Sequence, residues 1–290
     1  MAGWRSLVVD SEAKLSLSEN NIIFQGEEEK QIPISQIREC VIQSQKCSIT
    51  IPLLSELSKN NIILIVCDEK CNPTGELINS AGSHDSAGTI MDQAMWTEER
   101  KAEVWKNIVI NKIENQIELL NRLKLQVPEE MLAAAETVEP GDTGFCEAIA
   151  ARAYFRALFG YDFSRESYDE TNSALNYGYT IVRSSIDRIL ASHGYESSLG
   201  IKHKNRFNRF NLSCDIMEPF RPFVDELVFR NGKRELDKEY KLELVSILHS
   251  KIKYRNETSS MANVQDQFAL DVLKSMESGN YEAAKVTYAG

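Results

Sequence analysis

Residues 202–222 have the sequence KHKNRFNRFNLSCDIMEPFRP, in which four basic side chains precede two carboxylates. The carboxylates, Asp215 and Glu218, are three residues apart, so on a helix they would share one face, about 5–6 Å apart at Cβ. His203 lies among the basic residues. Imidazole and carboxylate groups are ligands for divalent cations, and nearby basic side chains attract the phosphate on which such a metal acts. The segment therefore predicts a divalent metal beside a phosphate.

The composition is that of a globular protein of one large domain or two, with 290 residues, 42% of them hydrophobic and 26% charged. The longest apolar run, Ile62–Cys67, is too short to cross a bilayer, and the first residues lack a secretory signal. We therefore expect a cytoplasmic protein without membrane contact, with its six scattered cysteines reduced. The net charge of −10 argues against coating DNA by charge alone, but it does not exclude a nucleic-acid enzyme with one basic surface.

The sequence predicts an α+β fold, with a small N-terminal β domain followed by a larger, mainly α-helical catalytic domain. Short segments rich in Val, Ile and Leu predict a β-rich domain over residues 1–80, with one helix at Pro52–Lys59. Small polar residues predict a linker over 81–90, and helical periodicity predicts the catalytic domain over 91–290. The expected strands are Ser6–Asp10, Lys14–Leu17, Ile22–Phe24, Gln31–Ile34, Glu39–Ile42 and Ile62–Cys67, with a turn at Asn72–Gly75. The expected later helices are Ile90–Lys124, Gly141–Phe159, Tyr168–His193, Asp215–Phe229, Leu236–Lys253 and Met261–Met276.

Each candidate ligand also has an interpretation that needs no metal. Glu147 lies among small apolar residues, where a carboxylate is costly to bury unless it is paired or binds an ion. A salt bridge to an arginine such as Arg152 would satisfy it. His203 alone fits a solvated loop residue, and Asp215 alone fits an acid at a helix N-terminus.

Other features of the 202–222 segment are open in the same way. Pro219 directly follows Glu218 within a predicted helix and should kink it, which could re-aim that carboxylate. Phe207 and Phe210 could stack on bases, but the asparagines beside them favour anchoring of the loop to the core. The chain has no P-loop, dinucleotide-binding or nucleophile-elbow motif, so nucleotide hydrolysis and serine hydrolysis have no support.

Together these residues resemble the CRISPR-associated spacer-acquisition integrases, the Cas-one family, in the form found with type II systems. The similarity covers nearly the whole chain and is densest at Leu199–Pro222. It also includes the opening MAGWRSLVVD, His84–Ser86 followed by Gln93 and Trp96, Glu147 with ARAYFRALFG, Asp162–Ser167 and Asn172–Thr180.

The resemblance implies a metal-dependent DNA integrase and endonuclease of CRISPR adaptation, which inserts short foreign DNA (spacers) into the CRISPR array by 3′-hydroxyl transesterification. Its catalytic and metal-binding residues would be Glu147, His203 and Glu218, with Mg2+ or Mn2+ as the cofactor. Asp215 would be a further ligand, and the division of roles between it and Glu218 stays open because many members have Asp at position 218. The expected DNA-binding residues are Lys202, Lys204, Asn205, Arg206, Arg209 and Arg221.

The resemblance also implies partners. The chain would form a homodimer through its β domain, and two such dimers would flank a dimer of a small second acquisition subunit in a heterohexamer that holds double-stranded DNA. The effector nuclease and the ring-shaped accessory protein of type II systems are further candidate partners. Without the resemblance, the residues leave two alternatives open: a stand-alone metal nuclease, and a non-catalytic helical scaffold that binds protein through its acidic surface.

Overall fold

The computed structural model describes residues 5–79 and 83–289 and has a β-rich N-terminal region followed by a mainly helical region, which confirms the predicted fold class. The first region contains β1 (Arg5–Val9), β2 (Ala13–Ser18), β3 (Asn21–Gln25), β4 (Glu29–Pro33), β5 (Ile37–Ile42), β6 (Cys47–Ile49), α1 (Ile51–Lys59), β7 (Ile63–Cys67) and β8 (Pro73–Leu77). The second contains α2 (Ser86–Ala94), α3 (Glu98–Arg122), α4 (Glu129–Thr137), α5 (Cys146–Phe159), α6 (Glu170–Ser192), α7 (Asn211–Met217), α8 (Arg221–Asn231), α9 (Lys238–Ser246), β9 (Lys251–Tyr254), β10 (Glu257–Ser260), α10 (Met261–Ser278) and β11 (Thr287–Tyr288).

Two four-stranded sheets make up the N-terminal region. One has the strand order β1-β5-β7-β8, with β1, β5 and β7 parallel and β8 antiparallel at the edge. The other has the order β4-β3-β2-β6. Leu15 and Ile22 of the second sheet share one apolar core with Cys40 of the first and Leu53 of α1. The two sheets are therefore held together by side chains that alternate along their strands.

Strand β7 buries side chains on both of its faces, although Val66 is exposed, and this explains its continuous apolar sequence. Leu64 points into the core between the two sheets. Its neighbours Ile63 and Ile65 point the other way and pack in the core of the helical region, together with Val41 of β5. The first sheet thus connects the β-rich region to the helices.

Helices α3 and α6 form the centre of the helical region. Residues of α3, including Trp105 and Ile108, are fully buried, and α6 is buried along most of its length. At Gly178, a Cβ atom would lie 2.5 Å from Cγ1 of Val224, so only glycine allows α6 to approach α8 this closely. This packing brings the N-terminal end of α5 and the junction of α7 and α8 against α3.

Several predicted boundaries are wrong, each for a local reason. The expected helix Ile90–Lys124 is two helices, because the Thr97 side chain accepts a hydrogen bond from the backbone N–H of Arg100 and starts α3 anew. The expected turn at Asn72–Gly75 is largely the edge strand β8, where Pro73 is tolerated at the first position. Helix α4, after Pro128, was not predicted.

The expected helix Leu236–Lys253 is also wrong at its C-terminal end. Residues Lys251–Tyr254 form β9, in which Ile252 and Tyr254 are buried while their neighbours are exposed. Arg255 and Asn256 both have positive φ, of 51° and 65°, and form the two-residue turn into β10. Over only four residues, the alternation of apolar and polar side chains in β9 is too short to be distinguished from the helical periodicity of the residues before it.

The predicted linker 81–90 is helical in its second half, because α2 begins at Ser86. Residues 80–82, like residues 1–4 of the MAGWRSLVVD opening, lie outside the described residues. Among the residues that the structure describes, no helix is both long enough and apolar enough to cross a membrane.

An ion-pair cluster connects β8 to α6 and has a predictable pH dependence. Arg183 contacts both Asp187 and Glu76, and Ser197 Oγ donates to Asp187 Oδ1 at 2.7 Å. These side chains line a cavity of about 690 Å³. Burial, assisted by Glu76 and opposed by Arg183, raises the pKa of Asp187 to about 7.

Because an unfolded Asp titrates near pH 4, the folded protein holds a proton between about pH 4 and 7 that the unfolded chain releases. We therefore expect the contribution of Asp187 to stability to be lost as the pH rises through this range. In Asp187→Asn, the urea concentration at the unfolding midpoint should therefore decrease less between pH 5 and pH 7.5 than it does in wild type. If the urea midpoints of the two proteins change equally with pH, Asp187 is not the source of this pH dependence.

Candidate functional site

Two carboxylates that are far apart in the sequence meet at one buried lysine. Lys112, in the middle of α3, is 7% exposed. Its Nζ lies 2.7 Å from Oε1 of Glu147 and 2.5 Å from Oε2 of Glu218. The salt bridge expected for Glu147 therefore exists, but its partner is Lys112 and not Arg152.

Glu147 is placed by the start of α5. Phe145 adopts a left-handed conformation, with φ of 56°, and turns the chain into the helix. Both oxygens of Asp142 then accept backbone N–H groups of the first turn, from Cys146 at 2.8 Å and Glu147 at 3.2 Å. The Glu147 side chain is one quarter exposed, so it reaches from Lys112 towards the surface.

Glu218 is placed by the predicted kink. Helix α7 ends at Met217, and Glu218–Phe220 form a single 3-10 turn before α8. Pro219 supplies the break because it has no N–H to donate. Asn115 of α3 donates to the Pro219 carbonyl at 2.8 Å and fixes the turn against the core.

The charge of Glu218 is stabilised on both sides. Arg221 Nε donates to Oε1 at 2.9 Å, and Lys112 contacts Oε2. Burial alone would raise the pKa of Glu218, but these two cations outweigh it and hold the pKa well below its usual range. Glu218 is therefore an ionised carboxylate in a buried position.

His203 and Asp215 form a second, adjacent unit. His203 Nδ1 lies 2.5 Å from Asp215 Oδ1. Asp215 also accepts backbone N–H groups from Ile201 at 2.6 Å, Lys202 at 2.9 Å and His203 at 3.2 Å. The ring of Trp105 meets the imidazole edge-on at 5.8 Å between centroids. The hydrogen bond to Asp215 raises the pKa of His203, while burial acts in the opposite direction.

These contacts assign different roles to the two acids of the 202–222 segment. Asp215 is wholly buried, lies in the second half of α7, and uses both oxygens to fold the loop and orient the imidazole. It is thus not an acid at a helix N-terminus. His203, in turn, is not merely a solvated loop residue. Metal-binding histidines commonly donate their second ring N–H to a carboxylate in this way.

The donor set fits a hard divalent cation. Oε2 of Glu218 is buried and, among described residues, accepts no well-directed hydrogen bond, although it faces the Lys112 ammonium. An ammonium within 2.7 Å of two carboxylates marks a position that favours a cation. Nδ1 of His203 is occupied by Asp215, which leaves Nε2 to coordinate. Within residues 5–79 and 83–289, no three carboxylate, imidazole or thiol groups yet surround one point closely enough to hold an ion.

The basic residues of the segment divide into two groups. Some have partners within the protein: Lys202 Nζ donates to the Gly141 carbonyl at 2.7 Å, Lys204 pairs with Glu98 at 2.7 Å, and Arg221 pairs with Glu218. Arg206 and Arg209 are exposed, with their guanidinium groups near the rings of the phenylalanines that follow them.

The asparagines fold the loop rather than extending from it. Asn205 Oδ1 accepts the backbone N–H of Phe207 at 2.9 Å, and Asn208 Oδ1 accepts that of Phe210 at 3.0 Å. Phe210 packs under Arg183, 3.6 Å from the guanidinium carbon to the ring centroid, as expected for an anchor. Phe207 is 89% exposed, so the expectation that it anchors the loop is wrong.

The motif residues upstream of the segment support the same loop. Gln93 of α2 donates to the carbonyls of Glu196 and Leu199, and accepts the N–H of Glu196, all at 2.9 Å. Trp96 packs against Tyr195, with centroids 6.1 Å apart. These contacts hold the chain that leads into His203. His84 itself is exposed.

Sequence reasoning missed two residues of the site. Lys112 lies on the apolar stripe of α3, at helical spacing from Trp105 and Ile108, and a lysine on such a stripe is a signal of a buried charge. Asp142, which positions Glu147, lies next to Gly141, whose φ is 74°. Its local sequence gives no comparable signal, because the contact depends on the turn before α5.

The fold and the acid–imidazole cluster define a two-region α+β protein with a candidate metal centre in its helical part. The family model for CRISPR associated protein Cas1 matches residues 7–243. The chain therefore belongs to this family, the Cas-one family that its sequence resembles. CRISPR-associated endonuclease Cas1 of Neisseria meningitidis serogroup C (strain 8013) is 35% identical over 256 residues, which cover 86% of this chain and 84% of that protein.

Solved structures share the fold. A casposase bound to integration product aligns with a TM-score of 0.78 at 17% identity, covering 97% of this chain and 92% of that one. A Cas1 protein from Thermotoga maritima aligns with a TM-score of 0.76 at 17% identity, covering 99% of each chain. A chain of a Cas6-RT-Cas1–Cas2 complex aligns with a TM-score of 0.73 at 19% identity, covering 97% of this chain and 36% of that one. At these identities the likeness concerns the fold alone.

Proposed function

We propose that this chain is a metal-dependent DNA integrase of CRISPR adaptation. It joins the 3′-hydroxyl of a short incoming duplex to a phosphodiester of the CRISPR repeat and has endonuclease activity at the same site. The observation that carries the proposal is that Glu147 and Glu218 converge on one cation position beside the oriented imidazole of His203. Membership of the Cas1 family and the endonuclease name of the Neisseria relative support it.

Glu147, Glu218 and Nε2 of His203 would hold Mg2+ or Mn2+. When bound, such an ion stabilises charge on the reacting phosphate and lowers the pKa of the attacking hydroxyl. Asp215 would keep the imidazole in place through Nδ1, which leaves Nε2 to coordinate the ion. Arg221 stays beside Glu218 and keeps that carboxylate ionised.

The joining step is a balanced exchange of esters. The 3′-oxygen of the incoming strand bonds to phosphorus while the bond from phosphorus to the 3′-oxygen of the repeat strand breaks. The attacking hydroxyl loses its proton to solvent, and the leaving oxygen takes one up. Water in place of the hydroxyl gives strand cleavage, which accounts for nuclease activity at the same residues.

The exposed cations of the 202–222 segment would hold the DNA backbone near this site. Arg206 and Arg209 reach solvent and can neutralise phosphates, which fixes the position of the strand without reading bases. Lys202, Lys204 and Arg221 hold the loop and the acids through their own contacts and would meet phosphate only by exchanging partners. Asn205 would act through the loop that it folds.

Charge reversal at the two exposed arginines tests this role. The double variant Arg206→Glu and Arg209→Glu should weaken DNA binding and lower the slope of log affinity against log salt by about 2, since each phosphate contact contributes about 0.9. Lys274→Glu, an exposed position on α10, is the matched control and should leave the slope unchanged. A wild-type slope in the double variant would show that these arginines do not contact phosphates.

We also propose that the chain works as a homodimer with a small second acquisition subunit. The fold that it shares with a chain of a Cas6-RT-Cas1–Cas2 complex supports the second subunit. The test is joining of a labelled short duplex to a repeat-bearing plasmid in Mn2+, with and without that subunit. Joined product that requires the subunit supports the proposal. Cleavage without joining would indicate a stand-alone nuclease. If the chain gives no joined or cleaved product and is not stabilised by Mn2+, it is a scaffold.

A further inference from the structure

Lys112 occupies the position where the proposed cation would bind. Its ammonium contacts both carboxylates at 2.7 and 2.5 Å and is almost fully buried. A metal that coordinates the same oxygens cannot share that position with it. Metal binding therefore requires either that Lys112 moves or that the carboxylates turn away from it.

The surroundings favour movement of Lys112. Glu218 is clamped by Arg221 on its other oxygen and by a turn fixed to α3, so it has little freedom. Glu147 is held at its backbone by Asp142. The lysine arm has four rotatable bonds, and it borders the partly exposed side of Glu147.

The net charge of the site also favours displacement of Lys112 by the metal. Without metal, the two carboxylates are offset by Lys112 and Arg221. A divalent cation added to this neutral group leaves an excess of two positive charges. The phosphates of the two DNA strands that meet at a joining site would supply the missing negative charge, and a displaced ammonium would be attracted to them.

We propose that Lys112 is a built-in placeholder cation: it keeps Glu147 and Glu218 paired in the metal-free protein, is displaced by the metal, and then contacts a DNA phosphate. This inference rests on the proposed function of the site. Lys112 then competes with the metal when DNA is absent and contributes to joining when DNA is bound.

The test is the affinity for Mn2+ in the absence of DNA, measured by calorimetry on the full chain. Lys112→Met should bind Mn2+ at least 10-fold more tightly than wild type, because no ammonium has to be displaced. The metal-free variant should melt at a lower temperature, and its joining activity should fall although its metal affinity has risen. Lys106→Met, on another face of α3, should match wild type in all three measurements.

Unchanged or weaker Mn2+ binding by folded Lys112→Met would overturn the inference while leaving the proposed function intact. Absence of Mn2+ binding by wild type would instead overturn the proposed function. If Lys112→Met does not fold, the inference is tested instead by NMR of wild-type protein labelled with 15N at lysine Nζ. The signal of Lys112 is identified as the one that is missing in Lys112→Arg. Addition of Mg2+ should then shift or broaden that ammonium signal, and an unperturbed signal under saturating Mg2+ would overturn the inference.

Discussion

Replacement of Glu218 with Gln is expected to lower metal-dependent DNA joining at least 100-fold. The variant keeps the size of the side chain but removes the charge that Lys112 and Arg221 stabilise. Loss of a group that only orients a metal ligand typically costs 10–100-fold, so loss of a proposed ligand should cost no less than about 100-fold. The readout is the initial rate of joining of a labelled duplex to a repeat-bearing plasmid in Mn2+.

The same variant should also be less stable. Removal of one partner from a buried ion pair leaves uncompensated charge and typically costs about 3–5 kcal/mol. Activity must therefore be compared at a temperature where circular dichroism shows the variant to be folded. Glu226→Gln, which removes a carboxylate from a partly exposed pair with Arg230 on α8, is the matched control and should retain joining. Near wild-type joining by folded Glu218→Gln would remove the proposed metal role.

Replacement of Asp215 with Asn is expected to reduce Mn2+ affinity and joining by about 10–100-fold without removal of a metal ligand. The carboxylate accepts three backbone N–H groups and holds the imidazole. An amide NH2 facing these donors would leave some of them unsatisfied, at about 1–3 kcal/mol for each buried group. The unfolding free energy should fall accordingly.

A titration of His203 separates this positioning role from a general loss of structure. Because the bond to Asp215 raises the pKa of His203, Asp215→Asn should lower that pKa, measured by NMR of the imidazole. Asp237→Asn serves as control, since Asp237 also accepts a backbone N–H, from Tyr240 at 2.8 Å, at the exposed start of α9. If the variant at 215 keeps the wild-type His203 pKa and metal affinity, Asp215 does not orient the imidazole.

The composition of the 202–222 segment predicted candidate ligands, but not how their side chains are arranged. The kink at Pro219 followed from the missing N–H of proline, and the structure has a 3-10 turn there. By contrast, the helical spacing of Asp215 and Glu218 predicted only that they share one face of a helix. The spacing cannot show that one carboxylate faces the 201–203 backbone while the other faces α3.

Local sequence patterns did not predict which distant segments of the chain are in contact. Glu147 and Lys112 are 35 residues apart, and only the packing of α5 on α3 joins them. The strands near the C-terminus were missed because β9 is only four residues long and pairs with β11 far along the chain. Thr287 is 34 positions from its register partner Lys253, and Tyr288 is 36 positions from Ile252. Most strands before α2 were predicted more closely, since they are five or six residues long and rich in Val, Ile and Leu, whereas the three-residue strand β6 was missed and β8 was predicted as a turn.

The proposed function requires that Glu147, His203 and Glu218, from separate parts of the chain, hold one divalent cation. The most direct measurement is anomalous diffraction at the manganese edge from crystals soaked in Mn2+. We expect one strong peak within about 2.0–2.4 Å of a Glu147 oxygen, a Glu218 oxygen and Nε2 of His203, with Asp215 still bonded to Nδ1. A peak elsewhere, or no peak at this position in crystals of protein that joins DNA in Mn2+, would contradict it.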